Sequence, residues 1–140
     1  MILRCNYEEL SALKQGAHTL LDVSEGDQHV VVAPPAAHAT VAALLPRLEG
    51  DLTISTLEEF YSVQIAIDAI VICLRAEMES AVATTHAAHE YAVAAYFDFA
   101  HAFSVLTRVR EMGAEMEALI EVVTGGVVTP EVAREFVFPD

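Results

Sequence analysis

The spacing of apolar positions changes character near Gly50-Asp51. Before that point the apolar residues come in short runs broken by turn chemistry. After it they recur every three or four residues, the period of a helix. In the first third, Ile2 to Cys5 is a brief strand. Asn6-Tyr7-Glu8-Glu9 has the spacing of a capping box, in which the Asn6 side chain caps an early amide while Glu9 reaches back. The helix so started buries Leu10, Leu13, Ala17, Leu20 and Leu21. Ser24-Glu25-Gly26-Asp27 is turn chemistry, and His29 to Ala33, with three consecutive valines, is the clearest strand. Pro34-Pro35 ends it and opens a short helix through Leu45, which Pro46 and Gly50 stop. Asp51 to Ser55 is a third strand, and a β-α-β-α-β order of this kind suits a small parallel sheet.

From Thr56 onward the chain is helical. Thr56-Leu57-Glu58-Glu59 is a second capping box, and Phe60, Val63, Ile67, Ile70, Val71, Leu74 and Met78 form one broad apolar face. Ile65 and Ile72 lie off that face, so this helix is expected to touch something on a second side. Neither Gly nor Pro occurs between Gly50 and Gly113, yet one helix of that span would reach ~90 Å at 1.5 Å per residue. A corner is therefore expected at Ala83-Thr84-Thr85-His86, where a threonine can cap the next helix. That helix would run from about His86 to Thr124 and stop at Gly125-Gly126. Its first half, Tyr91 to Leu106, is apolar almost all round. Its second half places Met112, Met116, Leu119, Ile120 and Val123 inside and Glu111, Glu115, Glu117 and Glu121 outside. Thr129-Pro130-Glu131 starts a last short helix, with Pro at its first position. Phe136-Val137-Phe138 then docks an apolar tail on the body.

These elements amount to an α+β, helix-dominated fold in a single domain over residues 1–140. Residues 1–55 form a small β-α-β-α-β layer, 56–124 a long antiparallel helical hairpin, and 125–140 a short helix and tail. A helix apolar on all sides must be surrounded by protein, and two hairpins from two copies make a four-helix bundle that surrounds it. A homodimer or higher homo-oligomer is the expected state. Composition points the same way: 54% of residues are hydrophobic, 20% are charged and the mean hydropathy is +0.42. So apolar a chain of 140 residues has more apolar surface than a monomer of that size hides.

Charge narrows the partners. The 21 acidic and 7 basic residues leave a net charge of -14, the wrong sign for phosphate backbones or anionic membrane surfaces. Two runs, Phe60 to Leu74 and Tyr91 to Thr107, approach the length of a membrane span but fall short of about 20 apolar residues. Each also carries an acid near its middle, Asp68 and Asp98. Cys5 and Cys73 sit in apolar patterns and read as free thiols, and no secretory leader is visible, which points to the cytoplasm.

Candidate chemistry is sparse. If the hairpin folds at residues 83 to 84, Asp68 comes level with Asp98 and His101. Asp98-Phe99-Ala100-His101 is a carboxylate-x-x-His pair on one helical surface. Carboxylate-bridged di-metal bundles use such a pair with an acid from a facing helix, so Asp68, Asp98 and His101 are candidate iron or manganese ligands. The competing reading is a buried polar cluster in which an acid hydrogen-bonds His101. His86-Ala87-Ala88-His89-Glu90 does not fit a zinc-helix pattern and reads as surface. Arg75 and Glu79, four apart, read as an exposed ion pair. Tyr96, Phe97, Phe99 and Phe103 read first as packing residues and second as the wall of an apolar-ligand pocket. No phosphate-cradling Gly-rich loop and no nucleophile elbow occur. The leading expectation is a non-catalytic interaction or regulatory module with a protein partner and no cofactor. A metal-carboxylate bundle and an apolar-ligand module are the alternatives.

Overall fold

The computed structural model describes residues 1–22, 35–126 and 128–138. In chain order these form β1 (Ile2–Leu3), α1 (Tyr7–Asp22), α2 (Pro35–Leu44), a 3-10 turn (Leu45–Arg47), β2 (Leu52–Thr53), α3 (Leu57–Thr84), α4 (Glu90–Thr124) and α5 (Pro130–Glu135). The fold is helix-dominated, with one two-stranded sheet among the described residues.

Local signals start most helices where the sequence places them. At α1 the capping box closes both ways: the Glu9 amide donates to Asn6 Oδ1 at 2.8 Å and the Asn6 amide donates to Glu9 Oε1 at 3.0 Å. At α3 only half of it forms. The Glu59 amide donates to Thr56 Oγ1 at 3.1 Å, but the Glu59 carboxylate accepts from the Ser55 amide and pairs with Arg47 instead of turning to Thr56. Thr129 caps α5 by accepting from the Val132 amide. The tail then docks as expected, with the Leu57 amide donating to the Phe136 carbonyl and the Phe138 amide to the Ser55 carbonyl.

The sheet departs from expectation. β1 and β2 pair antiparallel, Ile2 opposite Thr53 and Leu3 opposite Leu52. Strand–helix alternation fixes a parallel direction only when each crossover returns the chain to the same edge of the sheet. Here α2 and the turn after it lead the chain into the ladder from the opposite end. The strand expected at His29 to Ala33 and the turn before it lie outside the described residues. The chain start is tied in by its ammonium group, which donates to the Ile54 carbonyl at 3.0 Å.

α3 is the hub of the core. It packs against α1, α2, α4 and α5, and Phe60, Ile67, Ile70 and Leu74 are fully buried on it. α1 approaches it so closely at Gly16 that a Cβ there would stand 2.6 Å from Ile70 Cγ2 and 2.9 Å from Leu74 Cγ. α4 lies along another side, with Gly113 against the Phe60 ring. The predicted inner face of its second half holds for Met116 and Ile120, with Met112 partly covered, but Leu119 and Val123 are exposed. α4 has 35 residues against 28 in α3, so its last turns outrun the helix beneath them.

One long-range contact was not legible beforehand. Arg108 of α4 grips Glu9 of α1 in a bidentate pair at 2.6 and 2.9 Å, and its Nη2 also donates to the Arg4 carbonyl at 2.8 Å. Glu9 is only 5% exposed. Burial pushes its carboxyl up, but the Arg108 guanidinium and the Asn6 amide hold the ionised form, and the net shift is downward from 4.5. The stabilisation is therefore complete above the ordinary carboxyl range and lost as pH falls through the lowered value.

Arg108→Ala is expected to cost about 2 kcal/mol at pH 7, because it strands a buried carboxylate. Glu9→Gln should largely remove the acid sensitivity that this pair adds; urea melts of both variants at pH 7 and pH 4 check it. Gly16→Ala should lose about 1–3 kcal/mol despite its better helix propensity, since neither Ile70 nor Leu74 can retreat from the new methyl.

Candidate functional site

The corner between α3 and α4 decides which side chains can meet. Thr85 closes α3 by donating its amide to the Ala81 carbonyl. His89, in place of a threonine, caps α4, its Nδ1 accepting from the Tyr91 amide at 3.1 Å. Residues 85–89 are thus spent on the corner, and α4 begins at Glu90 where the sequence suggested His86. The extra residues slide α4 along α3.

The slide re-pairs the predicted ligands. Asp68 meets Arg110, whose Nη2 donates to Asp68 Oδ1 at 3.1 Å. Asp98 and His101 lie instead at the level of Glu77, about 13 Å further along α3 at 1.5 Å per residue. Asp98 and His101 remain neighbours on α4, but within one chain Asp68 does not join them. Among the described residues no three His, Cys, Asp or Glu side chains gather closely enough to hold a metal ion.

What assembles at the junction of α1, α3 and α4 is a polar group that the sequence does not announce: Glu77 and Asp98, with His101 beside Asp98 and the Thr19 hydroxyl near Glu77. Burial pushes the Glu77 carboxyl up, the Thr19 hydroxyl pulls it back and the Asp98 charge raises it further. Burial likewise raises Asp98, against the pull of His101. The signal that would have found Glu77 is His89-Glu90, a capping side chain with an acid in the first turn, which sets the start of α4 and hence the register.

Glu77 also lines a groove of about 310 Å³ with Cys73, Ala76, Ser80, Ala81, Thr84 and Tyr91. Cys73 is no nucleophile there: burial pushes its thiol up to about 11, and Glu77 raises it too. Phe97, Phe99 and Phe103 line neither that groove nor the depressions at Val63 and at Arg110; Phe97 and Phe103 stand exposed and Phe99 packs beside Phe103 at 5.7 Å between ring centroids. His86 and His89 are exposed, as expected of a surface pair, and stack edge to face.

The most extended feature is a surface. Arg108 and Arg110, two residues apart, point to opposite sides of α4. Arg108 faces α1, and Arg110 faces the open side of the α3–α4 seam, where it lines a shallow depression with Gln64, Ile65, Asp68 and Leu106. Seven residues on from Ile65 comes Ile72, and seven before Arg110 comes Phe103, each on the same side of its helix. Ile65 and Ile72 are each 48% exposed, Phe103 44% and Tyr96 53%. Phe97, at 54%, extends the patch onto the outer face of α4. No helix among the described residues is long and apolar enough to cross a membrane.

Compared with known protein families, characterised proteins and solved structures, the chain matches none.

Because Glu77 and Asp98 hold their protons to higher pH in the folded chain than in the unfolded one, stability falls as pH rises from the ordinary carboxyl range into the raised one. Glu77→Gln keeps the hydrogen-bonding capacity toward Thr19 and removes one charge. It should raise the melting temperature at pH 7 and leave it nearly unchanged at pH 4. A lower melting temperature at pH 7 would mean that a cationic partner compensates Glu77.

Proposed function

We propose that this protein is a non-catalytic, homo-oligomeric interaction or regulatory module, built on the α3–α4 hairpin and serving a further protein partner. The observation that carries the reading is the run of large apolar side chains left in water on that hairpin, Ile65, Ile72, Tyr96, Phe97 and Phe103. Chains seldom leave contiguous apolar patches of this kind uncovered, because each buried apolar Å² is worth about 25 cal/mol. The overall charge of -14 supports a protein partner over nucleic acid or an anionic membrane. Sedimentation velocity at rising concentration tests it. A species of twice 15.1 kDa or a larger multiple is expected, and a 15.1 kDa species that persists to high micromolar concentration sinks the reading.

A metal-carboxylate reading, with iron or manganese, draws on the pair Asp98 and His101 staying neighbours on α4; because no three such side chains gather among the described residues of one chain, the remaining ligands would have to come from a second copy. Asp68, the third ligand expected from the sequence, pairs within one chain with Arg110. Elemental analysis of the purified oligomer, grown without a metal-binding tag, checks it. At least half a metal per chain, lost in His101→Ala, favours this reading, and a protein that stays metal-free after incubation with both ions removes it.

A further inference from the structure

Resting on the homo-oligomeric reading above, we infer that the partner copy docks on the open α3–α4 seam about a two-fold axis near the Asp68–Arg110 pair, with the two arginines and two aspartates exchanging charge between copies. Three observations meet there. First, α1 covers the opposite flank of α4 through the Glu9–Arg108 clamp, and among the described residues no element packs on the flank bearing Arg110. Second, that flank is apolar around its charges, with Ile65 and Ile72 on either side of Asp68 along α3, and with Leu106 and Phe103 preceding Arg110 along α4.

Third, the seam is charge-balanced in a chain that is not. Seven basic residues face 21 acidic ones overall, and most of the surface would repel a second copy. Two of the seven, Arg75 and Arg110, lie on this side of the hairpin, each against an acid of its own, Glu79 and Asp68. A two-fold interface sets one patch against itself, so that residues near the axis meet their own copies, and the patch must be self-complementary. A lone aspartate at the axis would meet an aspartate. Asp68 with Arg110 at 3.1 Å forms half of a closed ring of four alternating charges. Both members are about half exposed, 44% and 56%, and so are free to face a second copy. Toward the start of α3 the seam turns acidic, with Glu117 beside Tyr61, and that end forms the rim.

Charge reversal in trans tests this. Asp68→Arg gathers four arginines at the axis and Arg110→Asp four aspartates, so each variant alone should dissociate, its dimer constant raised about a hundredfold or more. An equimolar mixture restores opposite charges only across the interface, and it should dimerise as the unaltered chain does. Circular dichroism should show both variants folded, since a half-exposed pair adds little to chain stability. Ile72→Glu, on the same face, is expected to dissociate without touching the pair. Variants that stay dimeric overturn the seam while leaving the homo-oligomer standing. Dissociated variants that do not recombine overturn the exchange of charges. A monomeric unaltered chain removes the parent reading and this one with it.

Discussion

A helix of 28 residues that is apolar around most of its circumference cannot stand in water, and the rest of the chain is arranged to cover α3. α1 and α2 take adjoining sides, α4 another, and α5 with the tail closes over its start. The closeness of this covering shows at Gly16, where only the absence of a side chain lets the neighbouring helix approach, and in milder form at Gly113, where a Cβ would stand 3.2 Å from the Phe60 ring. What no described element covers is the strip bearing Ile65 and Ile72. The same demand that organises the fold therefore leaves apolar surface that the described elements do not bury, which is the ground for the proposed association.

Which residues could be read from the sequence follows from the range over which each signal acts. Asn6 and Glu9, Thr56, Thr129 and the Gly125 stop act within one turn of chain, and all appear at their predicted places. The direction of the sheet and the register of the hairpin are set by how chain segments return, which residue periodicity does not encode. A few residues of extra corner moved Asp68 from the neighbourhood of Asp98 to that of Arg110, a change from like charge to opposite charge. The off-face positions of Ile65 and Ile72 were legible, because an exception to a helical stripe is itself a local pattern. The clamp between Glu9 and Arg108 was not: Glu9 had a complete local role as a capping residue, and nothing nearby announced that its second oxygen was also engaged.

The arginines show how a few cations can govern an acidic chain. Lys14, Arg47, Arg75, Arg108, Arg110 and Arg134 each stand against an acid, and these pairs differ sharply in consequence. Arg108 works where water is scarce and binds its carboxylate with two hydrogen bonds, so it fixes α1 on α4. Arg110 works half in water, where a single ion pair contributes at most about 1 kcal/mol to a monomer. Its place is therefore poorly explained by the stability of one chain. The proposed dimer gives it a role, since without it an aspartate flanked by isoleucines would there meet its own copy.

Ionic strength separates the two forces acting between copies. Screening weakens the repulsion between two bodies of net charge -14, a long-range effect that falls off over about 8 Å at physiological salt. It also weakens a ring of alternating charges, but a buried ring is screened far less than charges spread over the surface. Apolar burial is unaffected or strengthened. In the proposed dimer the balance would favour association as salt rises, the reverse of an assembly held chiefly by surface ion pairs. For a chain this acidic, selection of partner and strength of assembly then reside in different residues. In the proposed dimer the apolar strip would supply most of the free energy, and the Asp68–Arg110 pair would select another copy of the same surface as the one opposite.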